Sequence, residues 1–182
     1  MLMVLPSNDT AVAAATTFLN AAARRLRKPA AKISGALRFG VDLGTATVVL
    51  TALDDAGAPI YWDFLPCEAV RDGGVVNFGD AVAAVRKLKA DAEAQLGVVI
   101  TAAGTAYPPG VPVSESRACR YVLESAGIDC RSLVDEVTAA QALLQLRSGV
   151  IVDVGGGSTG VGIVEEGQIV QLDDRPGGGA AS

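Results

Sequence analysis

Two stretches built on one pattern, VDLGTAT at residues 41–47 and VDVGGGST at residues 152–159, constrain this chain more than anything else in it. Each places an aspartate among aliphatic residues, a glycine two positions later and hydroxyls close behind. Each continues into an apolar run and then an acidic turn with glycine, at residues 54–57 and 165–167. Self-similarity of this kind marks a duplicated supersecondary unit. Strand, glycine turn and strand in sequence make a hairpin. The chain is therefore expected to carry one hairpin at the head of each half of a repeated fold.

The residues between the repeats alternate helix and strand. Residues 8–28 read as a helix with Asn8, Asp9 or Thr10 as cap and Val12, Ala15, Leu19, Ala22 and Leu26 on one stripe, docked on the body or on a partner. Phe39, Val41 and Leu43 alternate with Gly40, Asp42 and Gly44 as one strand face, and residues 47–53 and the run holding Tyr61 and Trp62 complete an antiparallel meander. Asp80 is expected to cap a helix that buries Val82, Val85, Leu88, Ala92 and Leu96 and stops near Gly97. VVITAAG reads as a fully buried central strand. TAYPPGVPVSES is a loop with Ser114 capping the next helix, and CRSLVDEVTAAQALLQL is a short strand entering a helix. The order β-β-β-α-β-α-β-α defines an α/β layer with a mixed sheet. The expected organisation is an N-terminal helix and linker over residues 1–34, a first lobe over 35–147, and from 148 the opening hairpins of a second.

Composition narrows the chemistry. The chain has no histidine, which removes Ser-His-Asp and Cys-His catalysis and the His-Glu-x-x-His zinc helix together. Carboxylates, hydroxyls, backbone amides and bound ions are left. A net charge of −5 argues against a nucleic-acid face. The basic cluster Arg24, Arg25, Arg27 and Lys28 reads as the positive end of a helix or as a contact for an acidic partner. Cys67, Cys119 and Cys130, at unrelated spacings, fit free thiols in a reducing cytoplasm. No run is long and apolar enough to span a membrane. Asp173 and Asp174 read as solvated turn charges.

Gly155, Gly157 and Gly160 satisfy G-x-G-x-x-G, but a dinucleotide fingerprint must open a helix, and GVGIV reads as strand. No Gly-Lys-Ser/Thr follows, so this is not a P-loop. A hairpin whose glycines expose successive amides is left, a concavity suited to anions. An aspartate at its base suits a hydrated divalent cation, since magnesium keeps waters and takes few carboxylates. One such hairpin reads equally well as a plain turn. Two, facing each other, would grip phosphates from both sides.

VDLGTAT, DEVTAA at residues 135–140 and VDVGGGST resemble the first phosphate, connecting and second phosphate motifs of the actin, sugar-kinase and DnaK-type chaperone superfamily. Within it, VRDGGVVNF, TAYPPG, VLESAGID and LLQL look like the chaperone-like members of ethanolamine-utilisation systems encoded with bacterial microcompartments. The resemblance implies an actin-like ATPase (ribonuclease H-like) α/β fold that binds ATP and Mg2+. Asp42 and Asp153 would hold the hydrated magnesium. Gly44, Thr45 and Thr47 would contact phosphates from one side, and Gly155, Gly156, Gly157, Ser158 and Thr159 from the other. Glu136 would orient the attacking water or a metal-bound water, and Thr138 would sit at the hinge. The implied activity is ATP hydrolysis, by positioning and electrostatics. The implied partners are a client enzyme such as ethanolamine ammonia-lyase and microcompartment proteins, in the cytoplasm or at a microcompartment.

Three departures from that pattern set further expectations. Val137 stands where the superfamily generally has proline, and the lysine that DnaK-type chaperones place near the γ-phosphate has no counterpart, so slow hydrolysis or binding without turnover is expected. The second lobe is expected to be only begun, so that phosphate contacts remain without base and ribose contacts and binding by this chain alone is weak. The strands of that lobe, over residues 150–172, are expected to pair with another chain, self-association included, to lie disordered or to aggregate. Two other readings stay open: a non-catalytic actin-like scaffold or adaptor, and a sugar- or acetate-kinase-type phosphotransferase.

Overall fold

The computed structural model describes residues 9–68, 70–71, 74–75 and 77–176. The Asn8 cap, Asp72 and Gly73 of the turn expected at Arg71 and Asp72 before Gly73, and the terminal GGGAAS lie outside them. In chain order the elements are α1 (Asp9–Ala22), β1 (Arg38–Leu43), β2 (Thr47–Leu53), β3 (Pro59–Pro66), β4 (Val70–Arg71), β5 (Gly74–Val75), α2 (Phe78–Leu96), β6 (Ala102–Tyr107), α3 (Val113–Ser125), β7 (Asp129–Asp135), α4 (Glu136–Leu144), β8 (Gly149–Val154), β9 (Ser158–Glu165) and β10 (Gln168–Pro176).

The first sheet has the order β3-β2-β1-β6-β7. Its meander β1–β2–β3 is antiparallel, while β1, β6 and β7 run parallel. Parallel neighbours need crossovers, and α2 and α3 supply them. The core is made of small aliphatic side chains: Val41, Leu43, Val48, Leu50 and Ala52 from the sheet meet Val85, Leu88 and Ala92 of α2 and Val122 and Leu123 of α3. Burying one such leucine contributes roughly 1.5–3 kcal/mol, so α2 is held by its apolar face more than by propensity. It stops at Gly97, whose left-handed φ of 68° lets its N–H close onto Glu93 O.

The second sheet, β10-β9-β8, is antiparallel throughout. Its β9–β10 turn uses Glu166 and Gly167 at φ 51° and 85°, the backbone a type I′ hairpin requires. One face carries Ile151 and Val164 into a small core with Val137 and Leu146, with Ala11 and Leu144 packed against it. The opposite face leaves Val150, Val152 and Val154 more than half exposed.

Several sequence expectations need correction. Helix α1 ends at Ala22, six residues early, because Trp62 Nε1 takes the Ala22 carbonyl and the chain then pairs with β3. Leu26 bridges Trp62, and Ala30 N–H donates to Ile60 O, so this segment covers an open sheet edge. The inward face of α1 is Ala11, Ala15 and Phe18, while Val12 and Leu19 are each 60% exposed. Arg27 does not end a helix: its Nε lies 2.6 Å from Oδ1 of buried Asp63. In α2, Asp80 lies in the first turn and accepts from the Asn77 amide, so Asn77, not Asp80, stands at the N-cap. VVITAAG is not one buried strand: β6 starts at Ala102, Val99 is 75% exposed, and Ile100 N–H is held by Glu93 Oε1. Ser114 is no cap, because Pro112 occupies the N-cap position and α3 starts at Val113. Asp173 and Asp174 lie inside β10, not in a turn.

Candidate functional site

The carboxyl ends of β1, β6 and β7 open on one side of the first sheet, where open α/β sheets bind ligands. Asp42 is the penultimate residue of β1, and Glu136 is the first residue of α4, directly after β7. The tip of the second sheet faces them. The cavity between, of about 400 Å³, is lined by Asp42, Gly44, Thr45, Thr47, Glu136, Asp153, Gly155, Gly156, Gly157 and Ser158. Ten of the eleven residues expected from the sequence to contact metal, phosphate or water thus share one cleft. Thr159 does not line it; it pairs with Val154 and Arg175 inside the second sheet.

The two hairpins are closed in the same way. Gly44 N–H donates to Thr47 O and Gly155 N–H to Ser158 O, each at 2.9 Å. Asp42 pairs across its hairpin with Val49, and Asp153 with Gly160, in matching register. At Gly44 a Cβ would meet Thr47 O at 2.9 Å, so the turn has no room for a side chain. The tips also touch each other: a Cβ on Gly156 would lie 2.0 Å from Thr45 Oγ1. Glycine is needed there for the approach of one hairpin to the other, besides any ligand.

Helix α4 is started by Asp135, whose Oδ1 accepts from Thr138 N at 2.8 Å while its other oxygen accepts from the Thr138 hydroxyl. That fixes Glu136 in the first turn. Behind it Val137 is fully buried against β9. At the far end of α4, Gln141 Nε2 donates to Leu146 O and Gly167 O, joining the helix to the β9–β10 turn.

The electrostatics follow from crowding carboxylates into one cleft. Burial, then the charges of Asp42, Asp153, Asp174 and Asp135, push Glu136 up to about 7. Asp42 is raised by burial and then by Asp153; it stays reachable through the cleft mouth although the cleft walls crowd it. Burial pushes the Cys119 thiol up to about 11, with smaller contributions from Glu136 and Asp42, which makes it inert packing. Asp42 and Asp153, from opposite hairpins, are the carboxylates of this cleft that could hold a divalent cation. Among the described residues no group of three or more His, Cys, Asp or Glu is arranged to hold a metal.

Asp135 and Asp174 were not singled out as site residues from the sequence. The D-x-x-T spacing at residues 135–138 was a readable cap signal. Asp174 had no local signal, since only the β9–β10 register brings it near.

A five-stranded mixed sheet with crossover helices, joined to a second hairpin sheet across a two-aspartate cleft, defines an actin-like ATPase fold. MreB 5 of Spiroplasma citri bound to AMPPNP superposes with a TM-score of 0.56 at 20% identity, over 80% of this chain and 54% of that one, and supports the fold alone. Ethanolamine utilization protein EutJ of Carboxydothermus hydrogenoformans superposes with a TM-score of 0.83 at 34% identity, over 96% of this chain and 63% of that one. Ethanolamine utilization protein EutJ of Escherichia coli (strain K12) is 38% identical over 164 residues, 90% of this chain and 58% of the relative. No family model matches the chain. Over the residues it spans, the chain belongs to the EutJ family. It spans little more than half the length of these relatives.

Proposed function

We propose that the cleft binds the phosphates of a magnesium nucleotide, ATP by precedent of the fold. The observation that carries this reading is the pairing of two hairpins with the same Asp-x-Gly closure, facing one cavity that also holds Glu136. Their tips offer the backbone amides of Thr45, Gly156 and Gly157 as a concavity for anions, while those of Gly44 and Gly155 close the hairpins. Asp42 and Asp153 would hold a hydrated Mg2+, which neutralises phosphate charge when bound. Glu136 exchanges its proton near neutral pH, as a residue that orients water requires. In the setting named by its relatives, the chain serves ethanolamine utilisation. The family resemblance supports reading it as a chaperone-type partner of a client such as ethanolamine ammonia-lyase, in the cytoplasm or at a microcompartment.

Calorimetric titration with Mg-ATP and with Mg-tripolyphosphate tests this reading. Weak saturable binding is expected, abolished by chelation of magnesium and reduced roughly tenfold or more in Asp42→Ala and Asp153→Ala. Binding indifferent to both substitutions would sink it.

One observation favours a second reading, an actin-like scaffold that self-associates. The edge strand β8 presents Val150, Val152 and Val154 outward, 58%, 57% and 61% exposed. An apolar edge of this kind templates pairing with another chain.

A further inference from the structure

The two edges of the first sheet are finished differently. At one edge β3 is covered: Arg27 N–H donates to Trp62 O, Trp62 N–H to Arg25 O and Ala30 N–H to Ile60 O. At the other edge β7 has β6 as its one strand neighbour among the described residues. An open edge presents unpaired N–H and C=O groups, and proteins guard it with charges and bulges. The first half of β7 is guarded in both ways. Its register to β6 slips between Ala103 and Gly104, and exposed Arg131 pairs with Asp129 at 2.5 Å. The second half is regular: Ser132, Leu133 and Val134 pair residue for residue with Gly104, Thr105 and Ala106, and none of them carries a charge. The charge that follows, Asp135, spends both carboxylate oxygens on Thr138.

A cavity of about 600 Å³ opens beside this unguarded half. Leu133 of β7 and Tyr107 of β6 line it from the sheet, and Arg117, Arg120, Tyr121 and Glu124 line it from α3. Arg117 and Arg120 are three residues apart in a helix and so share one side of it. Both are exposed, and among the described residues neither is ion-paired. A free guanidinium fork matches a carboxylate through two hydrogen bonds. Tyr121, 51% exposed, and Tyr107 add amphipathic rings, and tyrosine with arginine is the pairing that anchors protein contacts. Glu124, one turn beyond Arg120, keeps a second acid away from that end.

We propose that the edge from Ser132 to Asp135, with Arg117 and Arg120 beside it, docks an extended acidic segment of a partner protein, which joins the five-stranded sheet as a further strand. Backbone pairing with β7 supplies register, and the two arginines select carboxylates on the alternate residues that face α3. The β8 edge, aliphatic at Val150, Val152 and Val154, belongs to the other sheet and suits an apolar partner, so experiment can separate the two edges.

The test is fluorescence polarisation with the full chain and a labelled, end-capped heptapeptide that alternates valine and glutamate. Saturable binding is expected, roughly tenfold or more tighter than for the peptide with lysine in place of glutamate. Arg117→Glu and Arg120→Glu should each weaken it roughly tenfold or more. Both side chains are exposed, so neither variant should lower the melting temperature, and Arg24→Glu, exposed and outside the cavity, should bind as the wild type does. Methylating the backbone nitrogens of the peptide removes its donors and should abolish binding, which separates strand addition from capture of side chains alone. No binding up to millimolar peptide, equal binding of the lysine peptide, or binding unchanged by backbone methylation overturns the proposal. Self-association that is lost in Arg117→Glu and kept in Val152→Lys also overturns it, by making a second copy of the chain the occupant of this edge.

Discussion

A Cβ placed on Gly162 would lie 2.3 Å from Val137 Cγ1, so the connecting helix and the second sheet are packed to the limit at this pair. Val137 is fully buried and occupies the groove that Gly160 and Gly162 leave along β9. A proline there would lack the second branched methyl that fills it, so the substitution that departs from the superfamily pattern is explained by packing. Gly162→Ala should lower unfolding free energy by about 1–3 kcal/mol through overpacking. Combining it with Val137→Ala should restore part of the loss, a coupling that urea unfolding of the two single variants and the double variant will measure.

The contact between Gly156 and Thr45 predicts a different outcome. The clashing atom is a side-chain oxygen that can rotate away, so Gly156→Ala should cost little stability, under about 1 kcal/mol. It should still push the hairpin tips apart and weaken magnesium-phosphate binding by about tenfold, since a small misplacement at a phosphate cradle is expensive. Thr45→Ala in the same chain should return most of the affinity. A large fall in melting temperature, with affinity unchanged, would mean that the contact braces the fold and not the cleft.

The repeated Asp-x-Gly hairpins were legible because they are local: two residues, Asp and Gly at fixed spacing, determine strand, turn and facing direction. That the sheet is mixed and layered with helices followed from the alternation of element types, and α2 from its apolar period. What the sequence hid depends on partners distant in the chain. Of the expected α1 stripe, Val12 and Leu19 point outward while Ala15 faces inward, because the side turned to β3 and α4 carries Ala11, Ala15 and Phe18. The early end of α1 was decided by Trp62, forty residues away. Asp174 read as a turn charge because the length of β10 is set by pairing with β9, which no local pattern announces. Asp135 was the opposite case, a cap written in the local spacing and passed over in favour of Glu136 beside it.

The β8 edge gives a prediction about association. Val150, Val152 and Val154 alternate outward along an edge strand. Sedimentation should therefore show concentration-dependent self-association. Val152→Lys should suppress it without loss of melting temperature, because the side chain is 57% exposed and leaves no cavity. Association unchanged in Val152→Lys and in Val154→Lys would exclude this edge.

The last prediction concerns pH. The Glu136 carboxyl is pushed up to about 7 from an ordinary 4.5, first by burial and then by Asp42, Asp153, Asp174 and Asp135. A group whose folded pKa lies above its unfolded pKa binds its proton more tightly in the folded state. Its stabilising contribution is complete below about pH 4.5 and is lost as pH rises through about 7. The metal-free chain should accordingly lose roughly 1–3 kcal/mol between pH 5 and pH 8 from this group. Glu136→Gln, which cannot ionise, should flatten that slope and be the more stable form at pH 8. Magnesium with tripolyphosphate at pH 8 should bring the wild-type chain closer to the variant, because a cation beside Asp42 and Asp153 offsets the repulsion that raised Glu136. Urea unfolding of both proteins at the two pH values, with and without the ligand, measures each difference. Parallel wild-type and variant slopes would place the origin of the pH dependence elsewhere.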